Sequence, residues 1–218
     1  MRNLFARRRL LTGLGVLCLA LSAGLAVSSW WDLYGTGIVE ERAQRNLDEQ
    51  FSASLAAPTT TSSLPPVQTT TMTPAPPSTT HPYLEDGSPV ARLEIPTINL
   101  KQIVVMGTTD EVLKKGPGMF RTAEWPGQVG NTTIAGHRTS HGAPFRHIDE
   151  LNPGDVVTLT TNDGVFKYSV TETFIVQGSD NSPLRDTTGE QVLTLVSCHP
   201  LHSTAKRIIV RAELLPLS

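Results

Sequence analysis

The sequence is poor in three features that several functional classes require: cysteine, aromatic residues and an excess of charge of one sign. Only 2 of its 218 residues are cysteines and 6% are aromatic, while 18 basic residues stand against 20 acidic ones. No basic stripe with interleaved aromatic residues is present, which sets aside a nucleic-acid partner. No CxxC pair occurs either, which argues against a cysteine-based zinc framework.

One long apolar run is present, near the N-terminus. Residues 1–9 are rich in arginine, and the uncharged segment 10–31 that follows ends in Trp30 and Trp31. Such a segment can cross a hydrocarbon core of about 30 Å as a helix, with the tryptophans at the interface. We therefore expect a cytoplasmic tail (1–9), a single-pass anchor in the cell membrane (10–31) and an extracytoplasmic remainder. The alternative is a cleavable signal peptide, whose apolar region is usually only about 7–15 residues long.

Two segments follow the predicted anchor. Residues 32–55 are predicted to be a juxtamembrane region that leads away from the bilayer, with a short helix from Ile38 to Phe51. Residues 56–82 consist mostly of proline, threonine and serine and carry no charge. A tract of this composition buries too little apolar surface to offset the entropy of ordering, so it predicts a disordered stalk, open to O-glycosylation.

Residues 83–218 are the one segment with the pattern of a globular domain. Alternating and β-branched residues predict strands over Ala91–Ile95, Ile98–Val105, Thr132–Ala135, Asp155–Thr160, Phe166–Val176, Val192–Val196 and Ile208–Leu214. The Asn162-Asp163-Gly164 string predicts a hairpin turn. Helix is expected only over Asp110–Lys115 and Phe145–Leu151. About seven or eight strands with so little helix favour an all-β fold, a small closed barrel without exposed edges.

The chemistry of this domain centres on Cys198. The other cysteine, Cys18, lies in the apolar run, where it is an apolar residue of the helix or, alternatively, a palmitoylation site. An unpaired thiol in an exported domain is a reactive group, an intermolecular bridge or a buried inert residue. A proline two residues after Cys198 ends its strand, Gly136 lets the chain turn and leaves His137 at another strand end, and Arg207 begins the last strand.

A thiolate nucleophile needs a proton partner and a positive group that stabilises the oxyanion. Cys198, His137 and Arg207 at three strand ends would supply these functions. The alternatives are a structural histidine and a solvated arginine. A zinc site is a further alternative, because most of the histidines flank the same loops: His137, His141, His147, His199 and His202.

Three strings resemble the motifs of the sortases. Thr194-Leu-Val-Ser-Cys198 and Asn131-Thr-Thr-Ile-Ala-Gly-His-Arg138 resemble the cysteine and histidine motifs, and Arg207-Ile-Ile-Val210 resembles the segment that bears the sortase arginine. Weaker similarities, in the family's order, are Leu93–Asn99, Gly116–Phe120 and Pro153–Asp155. The Cys-His-Pro continuation, the loop that follows His137 and the segment from Trp30 to Gly37 are most similar to class E sortases of actinobacteria.

The resemblance implies an eight-stranded sortase-type β-barrel, a cysteine transpeptidase with no cofactor and no bound metal. It implies cleavage of an LPXTG- or LAXTG-type C-terminal sorting signal between Thr and Gly. Cys198 would form the thioester, His137 would protonate the leaving amine and deprotonate the incoming one, and Arg207 would hold the substrate and stabilise the oxyanion. The donors would be surface proteins that carry the signal, and the acceptor a peptidoglycan precursor amine or a pilin lysine.

The resemblance also places His141, Thr194 and Ser197 at substrate-binding positions. Many relatives have threonine where this chain has Ser197, and both offer a hydroxyl. Class E relatives often have tyrosine at position 141, a residue implicated in the choice of Ala over Pro in the signal. The Ser140-His-Gly-Ala143 string has alanine where an L,D-transpeptidase would have its cysteine, which argues against that class of exported cysteine enzyme.

Overall fold

The structure, a computed structural model, describes residue 22 and residues 36–56, 83–185 and 189–216. The strands are β1 (Pro89–Ile95), β2 (Leu100–Met106), β3 (Gly118–Met119), β4 (Gly130–Ala135), β5 (Val156–Thr161), β6 (Gly164–Gln177), β7 (Gln191–His199) and β8 (Lys206–Leu214). Helices α1 (Thr36–Ala56) and α2 (Asp110–Leu113) are accompanied by short 3-10 helices over Pro96–Ile98, Ile148–Glu150 and Ser182–Leu184. The strands close into a barrel in the order β1-β2-β3-β4-β7-β8-β6-β5.

The predicted all-β barrel is confirmed, and the predicted hairpin is present between β5 and β6, where Thr161 pairs with Gly164. Each predicted strand is found, with bounds shifted by a few residues. β3 was not predicted, because a strand of two residues is too short to show an alternating pattern. It pairs parallel with β2 and antiparallel with β4, and so it closes the barrel between them.

The core fills the inside of the barrel with the inward-facing residues of its strands. These include fully buried side chains on β1, β5 and β7: Leu93, Ile95, Val157, Leu159, Leu193 and Leu195. The ring of Phe145, from the connection after β4, is also fully buried in this cluster. The strands are therefore held rigidly, and the residues at their ends inherit fixed positions.

Helix α1 packs against the outside of the barrel at β1 and β2. Leu47 and Phe51 enter a second apolar cluster with Ile103, Val105 and Val112. The sequence predicted a shorter helix, Ile38 to Phe51, that leads away from the membrane. The helix in the structure is longer and lies along the barrel, because its inward face carries Leu47 and Phe51.

Several predictions fall outside the described residues: the cytoplasmic tail 1–9, the anchor 10–31 except for residue 22, Cys18 and the stalk except for residue 56. Among the helices that the structure does describe, none has the length and apolar composition that a membrane span requires.

Candidate active site

The barrel brings three strand ends to one edge. β4 and β7 run parallel, with Ala135 opposite Val196, so the residues that follow β4 lie beside the end of β7. β8 runs antiparallel to β7 and begins at that same edge. This arrangement places His137 just after β4, Cys198 near the end of β7 and Arg207 near the start of β8, as the sequence predicted.

Cys198 and Arg207 face each other across the antiparallel pair of β7 and β8. The Arg207 Nη1 atom lies 3.8 Å from the Cys198 Sγ atom. The same nitrogen donates to the carbonyls of Thr204 at 3.0 Å and Lys206 at 3.3 Å, which hold the guanidinium in place. A permanent positive charge therefore stands beside a free, partly exposed thiol.

A cleft of about 440 Å³ opens over these residues. His137, Cys198 and Arg207 all line it, together with Asp110 at the start of α2 and Asp180 from the β6–β7 connection. A cleft of this size accommodates a segment of extended peptide. The three predicted catalytic residues thus share one accessible surface, with acidic side chains at its margin.

A buried arginine fixes the loop that carries His137. Arg138 is 3% exposed; its Nε donates to the Arg146 carbonyl at 2.7 Å, and its Nη2 pairs with Asp149 at 2.7 Å. Its Nη1 reaches the Cys198 carbonyl at 3.4 Å. Arg138 therefore ties the segment after His137 to the strand that bears the thiol. This role of Arg138 was not predicted. The signal that could have indicated it is a charged residue directly after the candidate histidine.

The glycine before His137 is required by packing. A Cβ atom at Gly136 would lie 2.6 Å from the Phe145 ring, and that ring is fully buried in the core. The sequence interpretation, that Gly136 lets the backbone turn, is therefore incomplete: its φ lies outside the left-handed region. The close approach of the ring presses the connection after β4 onto the barrel.

Burial and a neighbouring imidazole lower the pKa of His137. Desolvation is the largest cause, and His141 is the second, while the Asp110 carboxylate acts in the opposite direction. The two imidazole rings lie with their centroids 4.9 Å apart, so a proton on one disfavours a proton on the other. The neutral form of His137 is therefore favoured, and it can accept a proton.

We expect replacement of His141 by asparagine to raise the pKa of His137, because it removes the second imidazole and part of the covering that desolvates the ring. Asparagine suits the site because the backbone at position 141 has φ of 50°, a conformation that asparagine tolerates. An NMR titration of the histidine ring protons measures the shift. The matched control is His202→Asn, at an exposed histidine with φ of 63°; an equal shift in both variants would contradict the assignment.

The residues predicted to bind substrate are placed less uniformly. His141 lies against the His137 ring, while Thr194 is fully buried and does not line the cleft. Ser197 borders the cleft, but its hydroxyl is buried and donates to the Gly136 carbonyl at 2.7 Å. Ser197 thus joins β7 to the end of β4 through its hydroxyl. Thr194 lies in the interior, away from the cleft that holds Cys198.

The described part of the chain holds no cluster of side chains that would support the alternative of a zinc site. No three His, Cys, Asp or Glu side chains there are arranged to hold a metal ion. His147, one of the candidate ligands, is instead paired with Glu150, with 2.7 Å between Nδ1 and Oε1.

Comparisons with known proteins agree with this geometry. A family model described as the Sortase domain matches residues 93–215, so the chain belongs to the sortase family, whose members are cysteine transpeptidases. Sortase D of Bacillus subtilis is 33% identical over 129 residues, which are 58% of this chain and 64% of the relative. Sortase SrtE1 of Streptomyces coelicolor is 30% identical over 141 residues, 58% of this chain and 40% of the relative. The chain thus spans less than two thirds of each of these relatives.

Solved structures show the same fold. The Sortase D5 transpeptidase of Clostridium perfringens superposes with a TM-score of 0.61 at 26% identity, over 82% of this chain and 99% of that one. Sortase C of the same species, solved with the C-terminal cell wall sorting motif, gives a TM-score of 0.57 at 28% identity, over 61% of this chain and 74% of that one. The Streptomyces relative supports the likeness to class E sortases. Sortase D of Bacillus subtilis matches an equal share of this chain at similar identity.

Proposed function

We propose that this chain is a sortase transpeptidase that cleaves an LPXTG- or LAXTG-type sorting signal between Thr and Gly and transfers the protein to an amine. The observation that carries the proposal is the pairing of Cys198 with Arg207 across β7 and β8, with His137 at the same edge. The acceptor is a peptidoglycan precursor amine or a pilin lysine. The segment 10–31 would anchor the enzyme so that the barrel lies outside the cytoplasm.

The first half of the reaction forms a thioester. The step starts from the pair in which the thiol proton resides on His137. The Cys198 thiolate attacks the threonine carbonyl carbon, and the electron pair of the C=O bond moves onto the oxygen. The described contacts of Arg207 with protein all go through Nη1, which leaves its Nε and Nη2 donors for this oxyanion. The C–N bond then breaks, and protonated His137 gives its proton to the departing glycine amine.

The second half reverses the proton path. The acceptor amine attacks the thioester carbonyl, neutral His137 accepts its proton, and the C–S bond breaks to return the Cys198 thiolate. The lowered pKa of His137 favours this step, because the imidazole is ready to accept a proton. The same shift makes the imidazolium that the first step needs a minor species. Because that step also needs the Cys198 thiolate, only a small fraction of the enzyme carries the reactive thiolate–imidazolium pair.

The test is a peptide-library assay with the full chain, in which the second position of the pentapeptide is varied and hydroxylamine is supplied as the acceptor. We expect cleavage between Thr and Gly and a C-terminal threonine hydroxamate, identified by mass spectrometry. Pro or Ala as the favoured second residue decides between the two signal types. Cleavage at any other bond, or at none across the library, would refute the proposed reaction.

A further inference from the structure

Helix α1 buries a carboxyl group against the barrel. Glu40 is 4% exposed, and its Oε1 accepts a hydrogen bond of 2.9 Å from the Gln102 amide on β2. A buried carboxyl group is costly because burial removes its hydration, unless hydrogen bonds or protonation compensate. Glu40 therefore needs an explanation that the packing of apolar residues does not supply.

The other oxygen of this carboxyl group contacts the loop that carries His137. A methyl group added at Gly142 would overlap with Glu40 Oε2. The backbone there is unusual, since His141, Gly142 and Ala143 have φ values of 50°, 70° and 47°. A run of left-handed residues persists only where surrounding structure holds it.

The contact leads directly to the catalytic histidine. Gly142 follows His141, whose ring lies 4.9 Å from the ring of His137, centroid to centroid. The opposite end of the loop is held by Arg138 through the Arg146 carbonyl. Glu40 thus contacts the loop near its middle, between His137 and the Arg146 carbonyl.

The helix does not need Glu40 in order to dock. Gln44 donates to the Ile103 carbonyl at 3.0 Å and accepts from the Ile103 amide at 2.6 Å. These bonds satisfy the backbone of β2 at a residue outside its two-residue pairing with β3. Asp48 pairs with Arg92 at 2.6 Å, and Phe51 is buried. These contacts lie further along the helix, away from Gly142.

We propose that Glu40 is a positioning residue that holds the His137 loop in its active arrangement through the contact with Gly142. Helix α1 is then part of the catalytic unit. This inference rests on the proposed role of His137, and its closing experiment includes a measurement that needs no substrate.

The contact is sensitive to pH. Burial raises the pKa of Glu40 to about 7; the Gln102 hydrogen bond lowers it and the neighbouring Glu41 raises it further. Gln102, on β2, is neutral, and Gly142, in the loop, carries no charge, so Glu41 on the same helix is the charged group that acts on Glu40. Glu40 is protonated below about pH 7 and keeps its buried position there. Above that pH its carboxylate favours solvent, and the support of the loop weakens.

The test compares variants of the full chain. Glu40→Ala should lower kcat for peptide cleavage about tenfold with little change in KM, since small misplacements of a catalytic group are costly. Glu40→Gln, which keeps the shape and the uncharged state, should restore activity and remove the loss above pH 7. Asp48→Asn, at a carboxylate of the same helix that does not contact the loop, should leave kcat unchanged.

A double-mutant cycle isolates the contact. Gly142→Ala introduces both the overlap with Glu40 and the cost of a positive φ, whereas in the Glu40→Ala background only the second remains. The combined loss should therefore be smaller than the product of the two single losses. Independent, multiplicative losses, or an Asp48→Asn effect equal to that of Glu40→Ala, would overturn the proposal.

The substrate-free measurement is the NMR titration of His137. Glu40→Ala should raise the pKa of His137 because the loosened loop exposes the ring, and Glu40→Gln should not. This result stands even if the chain cleaves no sorting peptide, an outcome that would reject the proposed function alone. An unchanged pKa of His137 in Glu40→Ala would reject the positioning role.

Discussion

Replacement of Cys198 by alanine is expected to abolish cleavage of the sorting peptide, with a loss of at least about 10³-fold in kcat. Among the described residues Cys198 carries the one free thiol, and it lines the cleft together with His137 and beside the Arg207 guanidinium. Without it no thioester forms. Peptide turnover measured with the full chain, in the presence and absence of hydroxylamine, gives the result.

The chain offers a matched control in its other cysteine. Cys18→Ala should retain full activity and should still react once with a thiol reagent at Cys198, as resolved by mass spectrometry. Residual cleavage in Cys198→Ala that hydroxylamine accelerates would mean that another group forms the acyl intermediate. That outcome would remove Cys198 from the mechanism. The substitution itself should not disturb the fold, because Cys198 is only partly buried.

The three candidate residues at the strand ends, Cys198, His137 and Arg207, could be predicted from the sequence because the signals that mark them are local. A strand pattern ends at Cys198, another ends before His137, and a third begins at Arg207, so each residue is marked by its own neighbours. Their meeting point depends on strand order, which no local pattern contains. In the structure the parallel pairing of β4 with β7 brings His137 beside Cys198. From the sequence, only the resemblance to sortases indicated that these two strand ends meet.

Residues that act through packing escaped the sequence analysis. The resemblance to sortases implies a substrate-binding role for Thr194 and Ser197, yet both residues are buried. Arg138, which ties the histidine loop to β7, was not singled out. Burial depends on what lies across the barrel, and the sequence does not report that directly.

Helix α1 shows the same limit. Apolar spacing over residues 38–51 predicts a helix, but it does not show which residues are buried: Val39 is 57% exposed while the adjacent Glu40 is buried. Glu40 lies on the same helical face as Leu47 and Phe51, seven and eleven residues further along, so a carboxyl group takes the place of an apolar side chain against the barrel. A charged residue on the buried face of a helix is the kind of departure from the apolar pattern that marks a functional contact.

Arg207→Lys is expected to lose most activity, by about 10²- to 10³-fold in kcat, as for the loss of an oxyanion donor. The Nη1 atom of Arg207 makes three contacts that fix the guanidinium: Cys198 Sγ at 3.8 Å and the carbonyls of Thr204 and Lys206. Lysine keeps the charge but has one nitrogen, which cannot hold the carbonyls and also reach the oxyanion. The effect should fall on kcat, with a smaller change in KM.

The control for this prediction lies on the same strand. Arg211 on β8 pairs with Glu172 at 3.8 Å and does not line the cleft, so Arg211→Lys should leave kcat near the wild-type value. Steady-state kinetics of both variants on one peptide separates the loss of the planar fork at the active edge from a general weakening of β8. Equal kinetics for Arg207→Lys and the wild type would show that charge alone suffices, and the oxyanion would then need another donor.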